Sequence, residues 1–132
     1  MKLSVKQPLI VTGCHTTELD GRPYLILQVV GPRRLLFGTV RGELTFYHAG
    51  YKLLTTQGKG MTRLDSVHYM RMVESDGQFE LQAEMKPNND PGTKATLRRI
   101  AITTSRDVAV TIWRALTEIG FPLGQGITSS KQ

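Results

Sequence analysis

A chain of 132 residues with 17 Lys/Arg against 11 Asp/Glu, a net charge of +6, has the size of one domain built on a single core. Its 39% apolar and 21% charged residues, with 13 Gly and 6 Pro, exclude a coiled coil, a collagen-like repeat and a strongly disordered chain. One Cys excludes an intrachain disulfide framework and suits a reducing compartment.

Val11-Thr12-Gly13-Cys14 has the form of a lipoprotein cleavage box. Lys6, Gln7 and Pro8 break the apolar stretch such a signal needs, so this segment reads as an ordinary strand. The longest charge-free apolar run, Pro23 to Pro32, is far short of a bilayer span. The expectation is a chain that is neither secreted nor membrane-spanning, in the cytoplasm or a virion.

Short β-favouring runs follow in chain order: Leu9–Thr17, Tyr24–Val30, Leu35–Val40 and Glu43–His48, then Val67–Glu74, Gln78–Met85 and Ala95–Thr103. Between them fall the turn signals Asp20-Gly21, Gly31-Pro32, Arg41-Gly42, Gly58-Lys59-Gly60, Asp76-Gly77 and Asn88 to Gly92. This spacing predicts an antiparallel meander of six to eight short strands rather than alternating β-α units. In the hairpin at Asp76-Gly77, Phe79, Leu81, Ala83 and Met85 alternate with Gln78, Glu80, Gln82 and Glu84. A two-residue turn pairs Ser75 with Gln78, Met72 with Leu81 and Met70 with Ala83. That register puts His68, Met70 and Met72 on the apolar face, and Tyr69, Arg71 and Val73 among the glutamates.

One amphipathic helix is predicted over 105–119. Thr104 stands at the cap position with Asp107 three residues on, the spacing of a capping box. Val108, Ile112, Ala115, Leu116 and Ile119 share one face, and Trp113 flanks that stripe. Gly120 and Pro122 end the helix, and 124–132 reads as a polar tail. The fold class is therefore α+β, one domain over 1–132, with the meander followed by a C-terminal helix.

No residues assemble into a catalytic or metal-binding pattern, and no cofactor is expected. Cys14 and His15 are neighbours on a strand and point to opposite faces, so neither activates the other. His15, His48 and His68 lack zinc-site spacing, and His15-Thr16-Thr17 lacks the second half of a two-histidine phosphoesterase signature. Gly58-Lys59-Gly60 lacks the remaining parts of a Walker loop.

The charge is uneven. Residues 1–66 carry nine Lys/Arg against four Asp/Glu, whereas 67–132 carry eight against seven. Phe37, Phe46, Tyr47 and Tyr51 lie among the basic residues of the first half, the mixture that holds single-stranded nucleic acid by stacking and phosphate contact. The candidate nucleic-acid-binding residues are Arg33, Arg34, Arg41, Lys52, Lys59 and Arg63, with Tyr69 and Arg71 on the polar face of the later hairpin. Trp113, Leu116 and Phe121 are the candidate oligomer interface, with Trp113 free to anchor a partner.

From about Ser66 onward the pattern resembles that of RNA-phage coat proteins. His68–Glu74, the Asp76-Gly77 turn and Phe79–Pro87 match their long hairpin, Ala95–Thr103 their last strand, Ser105–Ile119 their first helix and Phe121–Ile127 a short second segment. The resemblance implies dimers that interlock helices across the partner's sheet, form shells and bind RNA on the inner sheet surface. Tyr24 to Gly120, strands closed by an amphipathic helix with a tryptophan, also resembles a pleckstrin-homology-like barrel, which implies a phosphoinositide or peptide ligand. A small virus-encoded inhibitor of a host protein is the third reading. The preferred expectation is a non-enzymatic protein that binds RNA or single-stranded nucleic acid as a homodimer or larger coat-like assembly.

Overall fold

Two Asp-Gly pairs turn two of the hairpins. Asp20 and Gly21 have φ of 51° and 76°, and Asp76 and Gly77 have 52° and 79°. Positive φ at both central residues makes a type I′ turn, whose twist matches that of the flanking strands. In the computed structural model, which describes residues 7–35, 38–55, 58–87 and 96–129, these turns join β1 (Leu9–Leu19) to β2 (Arg22–Leu35) and β6 (Val67–Ser75) to β7 (Gln78–Met85). The remaining strands are β3 (Gly38–Tyr47), β4 (Gly50–Thr55), β5 (Gly58–Arg63), β8 (Thr96–Thr103) and β9 (Leu123–Ser129), with helix α1 (Arg106–Ile119) before the last.

The strands form one nine-stranded sheet in the order β5-β4-β3-β2-β1-β8-β7-β6-β9. Strands β1 to β5 are one antiparallel meander and β6 to β8 another. Two parallel pairings complete the sheet: β1 against β8 at Leu9↔Ala101 and Ile10↔Ile102, and β6 against β9. Among the described residues the fold is thus mostly β, with one α-helix near the C-terminus and nine strands rather than six to eight.

Alternation gives every strand an inner and an outer side. On the inner side Leu25, Leu27 and Val29 of β2 join Leu44 and Phe46 of β3 and Tyr51 of β4. Met70 and Met72 of β6 and Phe79, Leu81, Ala83 and Met85 of β7 continue the same apolar surface. Helix α1 lies on it, chiefly over β2, burying Ala109, Ile112, Ala115, Leu116 and Ile119. Each large side chain fully buried this way contributes about 1.5–3 kcal/mol. The sheet curls around this core. On the inner side Arg98 of β8 donates a 2.7 Å hydrogen bond from Nη1 to Oγ1 of Thr62 on β5. In a flat sheet those strands would stand about 24 Å apart.

Several expectations are corrected. Arg41-Gly42 is no turn but lies inside β3, and Gly31-Pro32 lies inside β2 at an irregularity between Val30 and Arg34. Gly58-Lys59-Gly60 belongs to edge strand β5, where pairing with β4 supplies the order its composition lacks. Gly50 permits that pairing, since its φ is 147° and a Cβ there would run into the Thr62 carbonyl. His68 is exposed rather than on the apolar face, because a bulge between Val67 and Tyr69 turns it outward while Val67 takes the core position opposite Met85. The register from Met70 to Gln78 is as expected. The segment read as a polar tail holds β9, where Leu123 and Ile127 pair with Met70 and Met72, and the Met70 amide donates to the Pro122 carbonyl at 2.7 Å. Residues 130–132 and the turn at Asn88–Gly92 lie outside the described residues.

The interface expectation changes as well. Leu116 is 0% exposed and Phe121 4%, the latter edge-on to Phe46 at 5.8 Å, so both serve the chain's own core. Trp113 is half-buried and packs against the same core.

Ser105, not Thr104, caps the helix: its hydroxyl accepts from the Val108 amide at 3.2 Å. Asp107 then sits one position too early for a capping box but still lies in the first turn, where a negative charge suits the helix dipole. Gly120, with φ 103°, ends the helix. Ser105→Ala should lower stability by about 1 kcal/mol and Thr104→Ala by only a few tenths. Urea unfolding of the two variants checks this, and equal losses would return the cap to Thr104.

Candidate nucleic-acid interface

The register of the first meander determines what its outer face presents. Across the strands, Thr17, Tyr24, Tyr47, Gly50 and Arg63 form one row, and His15, Ile26, Thr45, Lys52 and Met61 the next. A third row runs through Gly13, Gln28, Glu43, Leu54 and Lys59, and Arg41 stands beside Val30 in a fourth. Arg41, Lys52, Lys59 and Arg63, separate in sequence, therefore share one sheet face. Glu43 is the only acid in these rows.

Aromatic rings lie among the cations. Tyr24 and Tyr47 stack with centroids 6.3 Å apart and planes 14° from parallel. The Lys52 ammonium sits 6.0 Å from the Tyr47 centroid, at the edge of cation–π range. Both tyrosines are half-buried, so each keeps ring surface in solvent. Leu54 and Met61 are 54% and 60% exposed beside Lys59 and Lys52, adding apolar contact surface to the platform. Arg63 holds an exposed ion pair with Asp65 at 3.2 Å, a pairing that solvent keeps weak.

The other candidates separate from this group. Arg33 and Arg34 lie on the β2 backbone near its end, with Arg34 opposite Thr39, and their side chains lie outside the described residues. Tyr69 and Arg71 stand on the outer face of β6, six or seven strand positions from β5 and β4 in the sheet order. There the charges are balanced. Arg71 Nε donates to Gln82 Oε1 at 2.7 Å, Gln82 Nε2 donates to Glu80 Oε2 at 2.8 Å, and Arg99 grips the Glu80 carboxylate through Nε and Nη2, both at 2.7 Å. Burial pushes the Glu80 carboxyl up, but the bonds from Arg99 and Gln82 outweigh it and hold the group below the usual carboxylate range. The bond to Glu80 raises Arg99 in return. The hydrogen bond to Glu84 pushes the Tyr69 phenol up.

Of the aromatics singled out by sequence, Phe46 and Tyr51 are core and Phe37 lies outside the described residues. Among the described ones, Tyr47 alone reaches the face of the first meander. The sequence signal for Tyr24 on this face is the alternation of Tyr24, Ile26 and Gln28 with Leu25, Leu27 and Val29. Cys14 and His15 do point apart, Cys14 beside Leu27 on the inner side and His15 beside Ile26 on the outer. Burial pushes the Cys14 thiol up, away from the nucleophilic thiolate. Among the described residues, no group of three or more His, Cys, Asp and Glu could hold a metal ion, and no helix is long and apolar enough to cross a membrane. Comparison with protein-family models, with curated proteins and with solved structures finds no match.

The Glu80 cluster has a pH signature. A carboxyl held below its ordinary value contributes stability above that value and loses it as pH falls through the lowered one. Glu80→Gln should therefore cost about 1.5–3 kcal/mol at neutral pH, where an ionised acceptor is lost. The gap to wild type should close as both are acidified below the ordinary carboxylate range, read by urea unfolding across pH. A gap independent of pH would mean that the ionised carboxylate is not what stabilises this face.

Proposed function

We propose that this chain is a non-enzymatic nucleic-acid-binding protein whose single-stranded ligand lies across the outer face of β1 to β5. The observation that carries the reading is the stacked Tyr24–Tyr47 pair with Lys52 beside it, framed by Arg41, Lys59 and Arg63 on the same face. Unpaired bases stack on such rings without regard to sequence, while phosphates collect along the cations. The positions of Lys59 and Arg63 on edge strand β5 suit a backbone running along the rim.

The preferred context is a coat-like assembly of copies. Helix and platform occupy opposite faces of the sheet, so copies could present the platform to RNA while their helices stay on the other side. Among the described residues, strands β5 and β9 are each paired on one side only, and an edge of this kind accepts another strand.

A salt titration against a labelled single-stranded oligonucleotide tests the reading. Tyr24→Ala with Tyr47→Ala should weaken binding by about 1–3 kcal/mol per lost stacked base while leaving the salt slope unchanged. Lys52→Ala with Lys59→Ala should flatten the slope of log affinity by about 0.7 per lost phosphate contact. Arg71→Ala should change neither. No binding at low salt, or equal effects from Arg71 and Lys52, would overturn the assignment, and selectivity for a phosphoinositide headgroup over oligonucleotide would replace it. Dimers or particles carrying co-purified RNA are expected by light scattering and absorbance, and a clean monomer would remove the assembly.

A further inference from the structure

The curl of the sheet leaves an open bay of about 350 Å³ between β8 and the β4–β5 edge, within the size range of small-ligand sites. Leu9, Leu44, Leu53 and Ile100 form apolar walls, and no residue of α1 lines it. Two polar groups, Thr62 and Arg98, adjoin each other along one side. Tyr51 and Thr62 are direct cross-strand partners on β4 and β5, and Thr62 accepts the 2.7 Å bond from Arg98 Nη1. Tyr51 is 5% exposed, and its hydroxyl is the one buried side-chain polar atom among the described residues without a hydrogen-bond partner. An unsatisfied buried hydroxyl costs stability. Arg98 is exposed and, among the described residues, has no carboxylate partner. Arg99 also borders the bay, but both its bonds go to Glu80.

We propose that this bay binds a small amphipathic carboxylate, its apolar body against the leucines and Ile100 and its head group taking hydrogen bonds from the Arg98 guanidinium. The guanidinium keeps further N–H donors beyond the one given to Thr62, in the planar geometry a carboxylate matches. The site lies on the inner side of the sheet, away from the tyrosine platform, and does not depend on the nucleic-acid reading.

Octanoate and octylammonium, equal in apolar length and opposite in charge, are the probes, titrated into the full chain by calorimetry and followed by chemical shifts of Leu53 and Ile100. Octanoate should saturate at one site per chain, and octylammonium should not bind there. Arg98→Gln, at an exposed position, should lower octanoate affinity about tenfold or more. Tyr51→Phe should leave octanoate affinity within about twofold yet raise the melting temperature of the free chain, because the unpartnered buried hydroxyl is gone. Gly60 borders the bay, and a Cβ built there meets nothing within 4 Å, so Gly60→Leu should fill the space and abolish binding in a folded chain. Octanoate that fails to saturate, binds no better than octylammonium, or is indifferent to Arg98→Gln would overturn the proposal. Should Gly60→Leu fail to fold, Arg98→Gln alone decides.

Discussion

A sheet of nine strands is about 38 Å across, and the one helix available to cover it is about 21 Å long and about 10 Å wide. Every strand but edge strand β5 nonetheless carries apolar residues on the same side, from Leu53 on β4 through Phe46, Leu27 and Leu81 to Ile127 on β9. A flat sheet would leave much of that surface in water, so the sheet must bend toward the helix until its own strands cover one another. The Arg98–Thr62 bond is a product of that bend, and so is the contact of Phe46 with Phe121 across the core. The bulges at Val67–Tyr69 in β6 and at Ile100 in β8 are where the curvature is accommodated, since an extra residue on one strand sharpens its local twist.

Bending toward the helix frees the opposite face from any packing duty, and the two meanders use that freedom differently. On β6 to β8 the outer side chains neutralise one another through Arg71, Gln82, Glu80 and Arg99, leaving little field beyond the surface. On β1 to β5 cations face solvent with Glu43 as their only acid in the strand rows, so the potential projects outward from this half. The uneven charge of the sequence halves thus becomes an uneven charge of two regions of one sheet.

The elements legible in the sequence are those whose signal is local. Asp76-Gly77 specifies its turn through backbone preference, the alternation of Phe79 to Met85 specifies the face, and the 3.6-residue stripe from Ile112 to Ile119 specifies the helix. What could not be read is held by distant partners. Strand β5, Gly-Lys-Gly-Met-Thr-Arg, has almost no strand propensity and is ordered by its ladder to β4. Strand β9 has two glycines and is ordered by β6. The site followed the same division. Arg41, Lys52, Lys59 and Arg63 were identifiable by charge, but their common face depends on registers that no local pattern encodes. Tyr69 and Arg71 were separated from them by the sheet order β5 to β9, which places a parallel seam between the two hairpin series.

That seam has a kinetic consequence. Strands β1 and β8 meet through residues about ninety positions apart, over only two aligned pairs. The hairpins on either side close short loops and can form early, whereas the seam requires nearly the whole chain to find its ends. Folding should therefore be limited by joining two preformed halves rather than by making either one. Until they join, β1 and β8 each expose an unpaired edge. At high concentration of the chain, those edges are where two molecules would first mispair, each taking from the other the strand its own second half has not yet supplied.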